Sequence, residues 1–439
     1  MSWKLSHYVT AGLQKSIWRL PNSLMSSPNF DAVCSTFARL GVDCEEALAT
    51  LAATPISIHC WQGDDVGGFE GPRALDGGIA VTGNYPGKAT TIEQLRADFE
   101  QVLKLVPGRH RINLHASYAD LGAEKVDRTA LTVEHFQSWI DWCIKLGIGI
   151  DFNPTFFGHP KAADGLTLTH PDPEIRAYWI EHGRACRRIA AAMADQLSEK
   201  IVHNLWIPDG SKDQPFDRKG PRERLEASLD AIYADPEPHP LVVEAVESKL
   251  FGIGAESYTA GSHEFYLGYA ITRQVALCLD AGHFHPTESV ADKISSVLQF
   301  VPELLLHVSR GVRWDSDHVV ILDDATLAVA QELVRGDFLP RTAIGLDFFD
   351  ASINRISAWV IGTRNIQKAL LIALLEPATA IREVESAGDF AGRLALMESA
   401  KSLPWGAVWE EFCQRNNTPG EFEWINEARA YEKAVLAKR

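Results

Sequence analysis

Nothing in this sequence approaches the roughly 20 consecutive apolar residues that a membrane-spanning helix requires, and no two cysteines stand in C-x-x-C spacing. Basic side chains are also short: 42 Lys and Arg against 58 Asp and Glu leave a net charge of −16. Such a surface repels phosphate backbones, which argues against nucleic acid as substrate because that binding rests on Lys and Arg. A neutral small molecule is easier to reconcile. The seven cysteines (Cys34, Cys44, Cys60, Cys143, Cys186, Cys278 and Cys413) are odd in number and scattered, so neither a disulfide framework nor a thiolate zinc site is indicated, and a reducing cytoplasm is expected. With 46% hydrophobic and 23% charged residues the composition is that of a soluble globular protein. Acids are missing before Asp31, where Lys4, Lys15 and Arg19 do occur. That pattern faintly matches an organellar transit segment; a disordered or loosely docked extension, or a start at Met25, is the preferred expectation.

What is present is a regular alternation. Eight apolar or β-branched runs of strand length lie at 56–61, 111–116, 147–154, 201–209, 241–249, 275–283, 303–310 and 342–350. Stretches with helical spacing separate them, such as 91–106, 133–146 and 173–197. Strand alternating with helix eight times predicts an α/β fold, a (β/α)8 TIM barrel of about 250 residues or more. It carries helical N- and C-terminal extensions. The expected division is an extension over 1–30, N-terminal helices over 31–55 broken at Gly41, a barrel over 56–365, and a C-terminal helical extension over 366–439. The aromatic-rich end (Trp405, Trp409, Phe412, Trp424, Tyr431) either packs on its own domain or forms a subunit contact.

Four of the runs end in groups that bind hard divalent cations: VESK at 246–249, CLDAGHFH at 278–285, LLLHVSR followed by WDSD at 304–317, and GLDFFD at 345–350. Ligands gather at the carboxyl ends of parallel strands, so these positions face one mouth of the fold. Glu247 and Lys249 are two apart and share a strand face; alone, E-x-K is more often a surface ion pair. Asp280 and His283 flank a turn at Gly282, with His285 a further candidate. Asp315 and Asp317 form D-x-D, able to chelate one cation. Asp347, inside an apolar run, needs a cation or donor beside it. Together Glu247, Asp280, His307 and Asp347 make one oxygen-rich site with a single imidazole, and His283, Asp315 and Asp317 a second, more open one. Mixed carboxylate and imidazole ligands suit Mn²⁺, Mg²⁺, Co²⁺ or Zn²⁺ alike.

The segments HCWQGDD at 59–65, GNYPGKA at 83–89, WIPDG at 206–210, VESKLFGIGAESYT at 246–259, LDAGHFHPTE at 279–288, HVSRGVRWDSDHVV at 307–320 and GLDFFDASINRI at 345–356 resemble the L-rhamnose isomerase family. The resemblance spans roughly 30 to 435. It implies a metal-dependent aldose–ketose isomerase on a (β/α)8 barrel, a homotetramer converting L-rhamnose to L-rhamnulose with Mn²⁺ preferred. It implies that Glu247, Asp280, His307 and Asp347 hold a structural metal and His283, Asp315 and Asp317 a catalytic one. Lys249 would hydrogen-bond the sugar near its carbonyl oxygen, and His115 and Trp206 would line the sugar site. The glycine-rich segment 62–80 would be a lid, with Val66, Leu75, Ile79, Tyr118 and Phe349 forming an apolar pocket for the 6-methyl group. Ser117 departs from the family pattern, where an aliphatic residue is expected.

No single base stands free of the expected metal ligands, so a metal-assisted 1,2-hydride shift is favoured over an enediol route, with Lys249, Asp347 and His283 as the catalytic groups and Asp347 handling the hydroxyl proton. Three rivals fit less well. An enolase-type lyase needs one cage of three acids on successive strands, a DNA phosphodiesterase needs a basic groove, and a non-catalytic sugar-binding barrel predicts lost ligands.

Overall fold

The computed structural model describes residues 29–71, 75, 79–314 and 316–439; the expectations for residues 1–28 and for Asp315 lie outside them. Eight parallel strands form a closed barrel: β1 (Ile56–His59), β2 (His110–His115), β3 (Gly149–Asn153), β4 (Ile201–Leu205), β5 (Val242–Glu247), β6 (Ala276–Asp280), β7 (Leu304–Val308) and β8 (Thr342–Leu346). Each strand pairs with its neighbours in chain order, and β1 closes on β8. Seven fall inside the apolar runs expected to be strands and β2 begins one residue before its run, at His110, because a parallel strand is buried on both faces and is largely apolar.

Side chains on a strand alternate between faces, and the two parities separate into two apolar clusters. Residues such as Val246, Leu277, Leu279, Leu304, Leu306, Ile344 and Leu346 belong to the large core shared with the surrounding helices. The other parity gives a small plug of Val202, Ala245, Ala276, Cys278 and Leu305. One step of two residues toward the carboxyl end from that plug lie Asn204, Glu247, Asp280 and His307. The polar groups therefore form the next inward layer, above an apolar floor.

The crossover helices have legible ends. The helix Pro173–Leu197 starts with Pro at its first turn and Asp172 as cap, its carboxylate accepting from the Glu174 N–H. Thr91 caps Ile92–Leu103, Asp323 caps Asp324–Arg335, and Gly147, at φ 67°, ends Gln137–Leu146. The N-terminal pair Phe30–Ala38 and Cys44–Ala53 has its break at 39–43, as expected around Gly41.

The expected boundary at 365 falls inside a helix. Arg355–Leu374 is the last crossover helix and is buried along most of its length, so it cannot be divided between barrel and extension. Helix Trp405–Arg415 packs on its own domain: Trp409 and Phe412 are buried, Lys368 pairs with Glu421 at 2.5 Å, and Arg439 reaches Asp98 at 2.6 Å. Between them, helices Ala378–Ser386 and Phe390–Ala400 contain no buried residue.

Candidate metal and sugar site

The layer above the plug is acidic and dry. Ligating atoms of Glu247, Asp280, His307 and Asp347 all lie within 4.8 Å of one another, as do those of Asp280, His283 and Asp317. Asp280 is common to both groups. Strand register sets this up: Asp280 is the Cα partner of His307 on the neighbouring strand, and Asp347 follows directly on β8. His307 Nδ1 stands 3.2 Å from Glu247 and 3.3 Å from Asp347 Oδ2, and His283 Nδ1 stands 3.3 Å from Glu247 Oε1. Glu247, Asp280 and His307 are 2%, 0% and 2% exposed.

Three carboxylates in so small a dry volume cannot all be ionised without compensation. Burial, reinforced by Asp347 and Glu247, pushes the Asp280 carboxyl up to about 7 against the pull of His283. Burial would raise Glu247 too, but His307 and His283 beside it hold it well below the usual carboxylate range. His307 is driven well above the ordinary histidine value, burial being outweighed by Cys278, Glu247 and Asp347. Asp280 Oδ2 is buried with no hydrogen-bond partner among the described residues. Several carboxylate oxygens and imidazole nitrogens converging on one buried point are the donor set of a hard divalent cation, so the residues fit one.

Neighbours outside the expected set orient these acids. The Trp61 indole N–H donates to Asp347 Oδ1 at 2.9 Å, the Asn204 amide to Glu247 Oε2 at 2.5 Å, and the Ser309 hydroxyl to Asp280 Oδ1 at 2.9 Å. Sequence reasoning gave none of these a role. The available signal was parity for Asn204, two residues from the plug on an inward face, whereas Trp61 and Ser309 lie beyond strand ends where parity lapses.

A cavity opens over the acidic layer, lined by Trp61, Val66, Ile79, His115, Asn153, Phe157, Asn204, Trp206, Glu247, His283, His307, Asp317, Asp347 and Phe349. His115 Nδ1 is 3.1 Å from the Pro154 carbonyl, which fixes that nitrogen as the ring's donor. Trp206 Nε1 is buried without a hydrogen-bond partner among the described residues. Lys249 lies outward of the acids: its ammonium sits 5.3 Å over the Trp206 ring, and it lines a broader cleft that shares Ile79, Phe157 and Trp206 with the cavity.

Three expected residues lie elsewhere. Tyr118 is fully buried, and its hydroxyl donates to Asp64 Oδ1 at 2.6 Å, so it supports the loop from behind and does not line the cavity. Leu75 lines a neighbouring cleft with Asp64, Val81 and Lys88. His285 is turned outward, its ring 2.7 Å from the Thr287 hydroxyl. In each case the residue lies beyond a strand end, Tyr118 in the 3-10 turn Ala116–Tyr118 and the others in loops, where side-chain direction follows local turns that period-2 reasoning does not reach. Ser117 is buried, and its N–H donates to the Thr155 hydroxyl at 3.1 Å.

Residues 25–439 match the family model described as L-rhamnose isomerase (RhaA). The chain belongs to the L-rhamnose isomerase family. It is similar to the L-rhamnose isomerases of Escherichia fergusonii, Escherichia coli and Shigella sonnei, each 59% identical over 407 residues that cover 92% of this chain and 96% of the relative. Membership in the L-rhamnose isomerase family makes the chain an aldose–ketose isomerase, an intramolecular oxidoreductase by reaction class. Among solved structures an L-ribulose 3-epimerase aligns with a TM-score of 0.45 at 14% identity, covering 75% of this chain and 97% of that one; at that distance none of its chemistry transfers.

Proposed function

We propose that this protein interconverts L-rhamnose and L-rhamnulose, using two divalent cations, with Mn²⁺ the preferred metal, by a 1,2-hydride shift. The observation that carries the reading is the convergence of buried Glu247, Asp280 and His307 with partly buried Asp347 beneath a cavity of sugar-compatible lining. In this reading those four residues hold one ion, and His283, Asp317 and Asp315 contribute to the other, sharing Asp280. When bound, such ions supply positive charge against the negative charge that develops on O1 and O2.

The chain's own residues do the rest. Hydrogen passes from C2 to C1 with its electron pair, so the C2 hydroxyl must give up a proton and O1 must gain one. Asp347 is the carboxylate placed to carry that proton, and the Trp61 indole fixes its orientation. In this reading the Lys249 ammonium, 5.3 Å over the Trp206 ring, hydrogen-bonds the sugar near its carbonyl end. The Trp206 N–H offers a donor and His115 Nε2 an acceptor to sugar hydroxyls, while Val66, Ile79 and Phe349 offer an apolar wall to the 6-methyl group. Trp61, Phe157 and Trp206 keep water from the reacting carbons, which a hydride shift requires.

Isotope transfer tests the route: deuterium at C2 of L-rhamnose is expected to appear at C1 of the product, and extensive exchange with solvent would replace the hydride shift by an enediol. His283→Ala should abolish turnover with the fold retained; an active variant would displace the proposed site. A homotetramer is proposed with the solvent-facing helices 378–400 as its contact. No described helix is long and apolar enough to cross a membrane, and seven free thiols support a cytoplasmic location.

A further inference from the structure

Val66, a β-branched residue, adopts φ 57°, and Asp65 before it adopts φ 56°. Two consecutive left-handed residues of which neither is glycine are a strained pair, and such strain persists only where the surroundings over-determine it. Val66 is 5% exposed and lines the cavity over the acids. Locally the Val66 N–H donates to the Trp61 carbonyl at 3.0 Å and the Gly67 N–H to the Asp64 carbonyl at 3.1 Å, and a further hold comes from the far end of the chain. Arg355, 4% exposed, grips Asp65 with a two-pronged contact, Nε to Oδ1 at 2.8 Å and Nη2 to Oδ2 at 2.9 Å. Its remaining nitrogen donates to the carbonyls of Tyr85 at 2.6 Å and Pro86 at 3.2 Å. Lys88, the other cation near Asp65, stands off at 3.9 Å and is 45% exposed. Beyond the turn, Arg128 holds Glu70 at 2.8 Å and the Phe69 N–H donates to the Ser117 carbonyl at 2.8 Å. The first half of the loop is thus pinned on both sides of Val66.

We propose that Arg355 is a positioning residue for the apolar end of the sugar: by clamping Asp65 it holds the Asp65–Val66 turn left-handed and so turns the Val66 side chain into the cavity. A planar fork suits this task where a lysine does not, because two parallel hydrogen bonds fix the orientation of a carboxylate and a point charge does not. The proposal deepens the reading given above and rests on it for the identity of the sugar. Selectivity for a 6-deoxy sugar is then set partly by a residue that touches no substrate.

The test compares L-rhamnose with L-lyxose, which keeps the C2 to C4 configuration but has no sixth carbon. In Arg355→Lys, the ratio of kcat/KM for L-rhamnose over L-lyxose is expected to fall about 10-fold, the worth of a methyl group in an apolar pocket, chiefly through KM. Val66→Gly should lower the same ratio, and adding Arg355→Lys to it should lower the ratio no further, since both act through one side chain. Equal losses on both sugars, or an additive double variant, would overturn the proposal in favour of a general structural role. A crystal structure of Arg355→Lys gives a readout without turnover: Val66 leaving the cavity supports the clamp, and Val66 retained at positive φ refutes it. If the unaltered protein leaves L-rhamnose untouched, the substrate reading fails, and that crystal structure still decides the clamp.

Discussion

Gly282 stands where a β-carbon would lie 2.3 Å from Asp317 Oδ1, 2.9 Å from Ser309 Oγ and 3.1 Å from Asp280 Oδ1. Hydrogen alone fits among three groups that converge so closely, and Gly282→Ala must push Asp317 or Asp280 out of place. We expect the variant to fold and to bind Mn²⁺ about 10–100-fold more weakly, the usual cost of disturbing what orients a ligand. Calorimetric titration of the metal-stripped protein measures it, and unchanged affinity would mean that Asp317 is no ligand. Trp61→Phe removes only the indole donor to Asp347 Oδ1 and keeps an aromatic wall. A loss of metal affinity or activity in the same range is expected, and wild-type values in both would separate Trp61 from the chemistry. Trp61 and Ser309 were invisible in the sequence for a definite reason. Glu247, Asp280, His307 and Asp347 declare themselves because charge inside an apolar run is costly without a partner, whereas a tryptophan or serine in a loop has an ordinary place in any fold.

At the level of elements, the long helix Pro173–Leu197 carries a buried histidine that ties it to two loops. His182 Nε2 accepts the Thr155 N–H at 3.0 Å, and Nδ1 donates to the Arg128 carbonyl at 3.1 Å, so the ring is neutral. Burial, reinforced by the Arg128 charge, pushes its pKa down to about 3 from 6.5. The unfolded chain takes up a proton below about pH 6.5 that the folded ring refuses. This contribution to stability is therefore complete above pH 6.5 and is lost progressively as pH falls toward 3. Urea midpoints for the protein and for His182→Gln should converge between pH 7 and pH 5; a constant gap would show that the ring does not titrate on unfolding. The helix itself was legible from its helical spacing over 173–197, the range it occupies. Its hydrogen bonds to 128 and 155 were not, because they join segments that meet only once the barrel closes.

For the whole molecule, the hairpin of Ala378–Ser386 and Phe390–Ala400 stands out from a chain whose other long helices each bury a face. Phe390 is 62% exposed and Leu394 57%, and an isolated helix pair with no buried residue gains little by folding alone. In the proposed tetramer this face meets a second copy. Phe390→Glu with Leu394→Glu is expected to reduce the assembly to dimers or monomers by sedimentation at micromolar concentration, with the barrel still folded; an undisturbed tetramer would place the contact elsewhere. Removing divalent ions with EDTA is expected to lower Tm, because a ligand that binds only the folded state stabilises it by mass action, and restoring Mn²⁺ should reverse the loss; a Tm indifferent to both would argue against a resident ion. The sequence by itself determined the barrel and its acidic mouth. Continuous apolar runs mark strands buried on both faces, and a carboxylate at the end of an apolar strand has few places to go. Tertiary structure alone decided that Arg355 meets Asp65 across 290 residues, that Asp280 lies within reach of both candidate groups, and that Tyr118, Leu75 and His285 face away from the cavity. Those outcomes depend on loop conformation and on which strand ends become neighbours, and both are set by closure of the barrel.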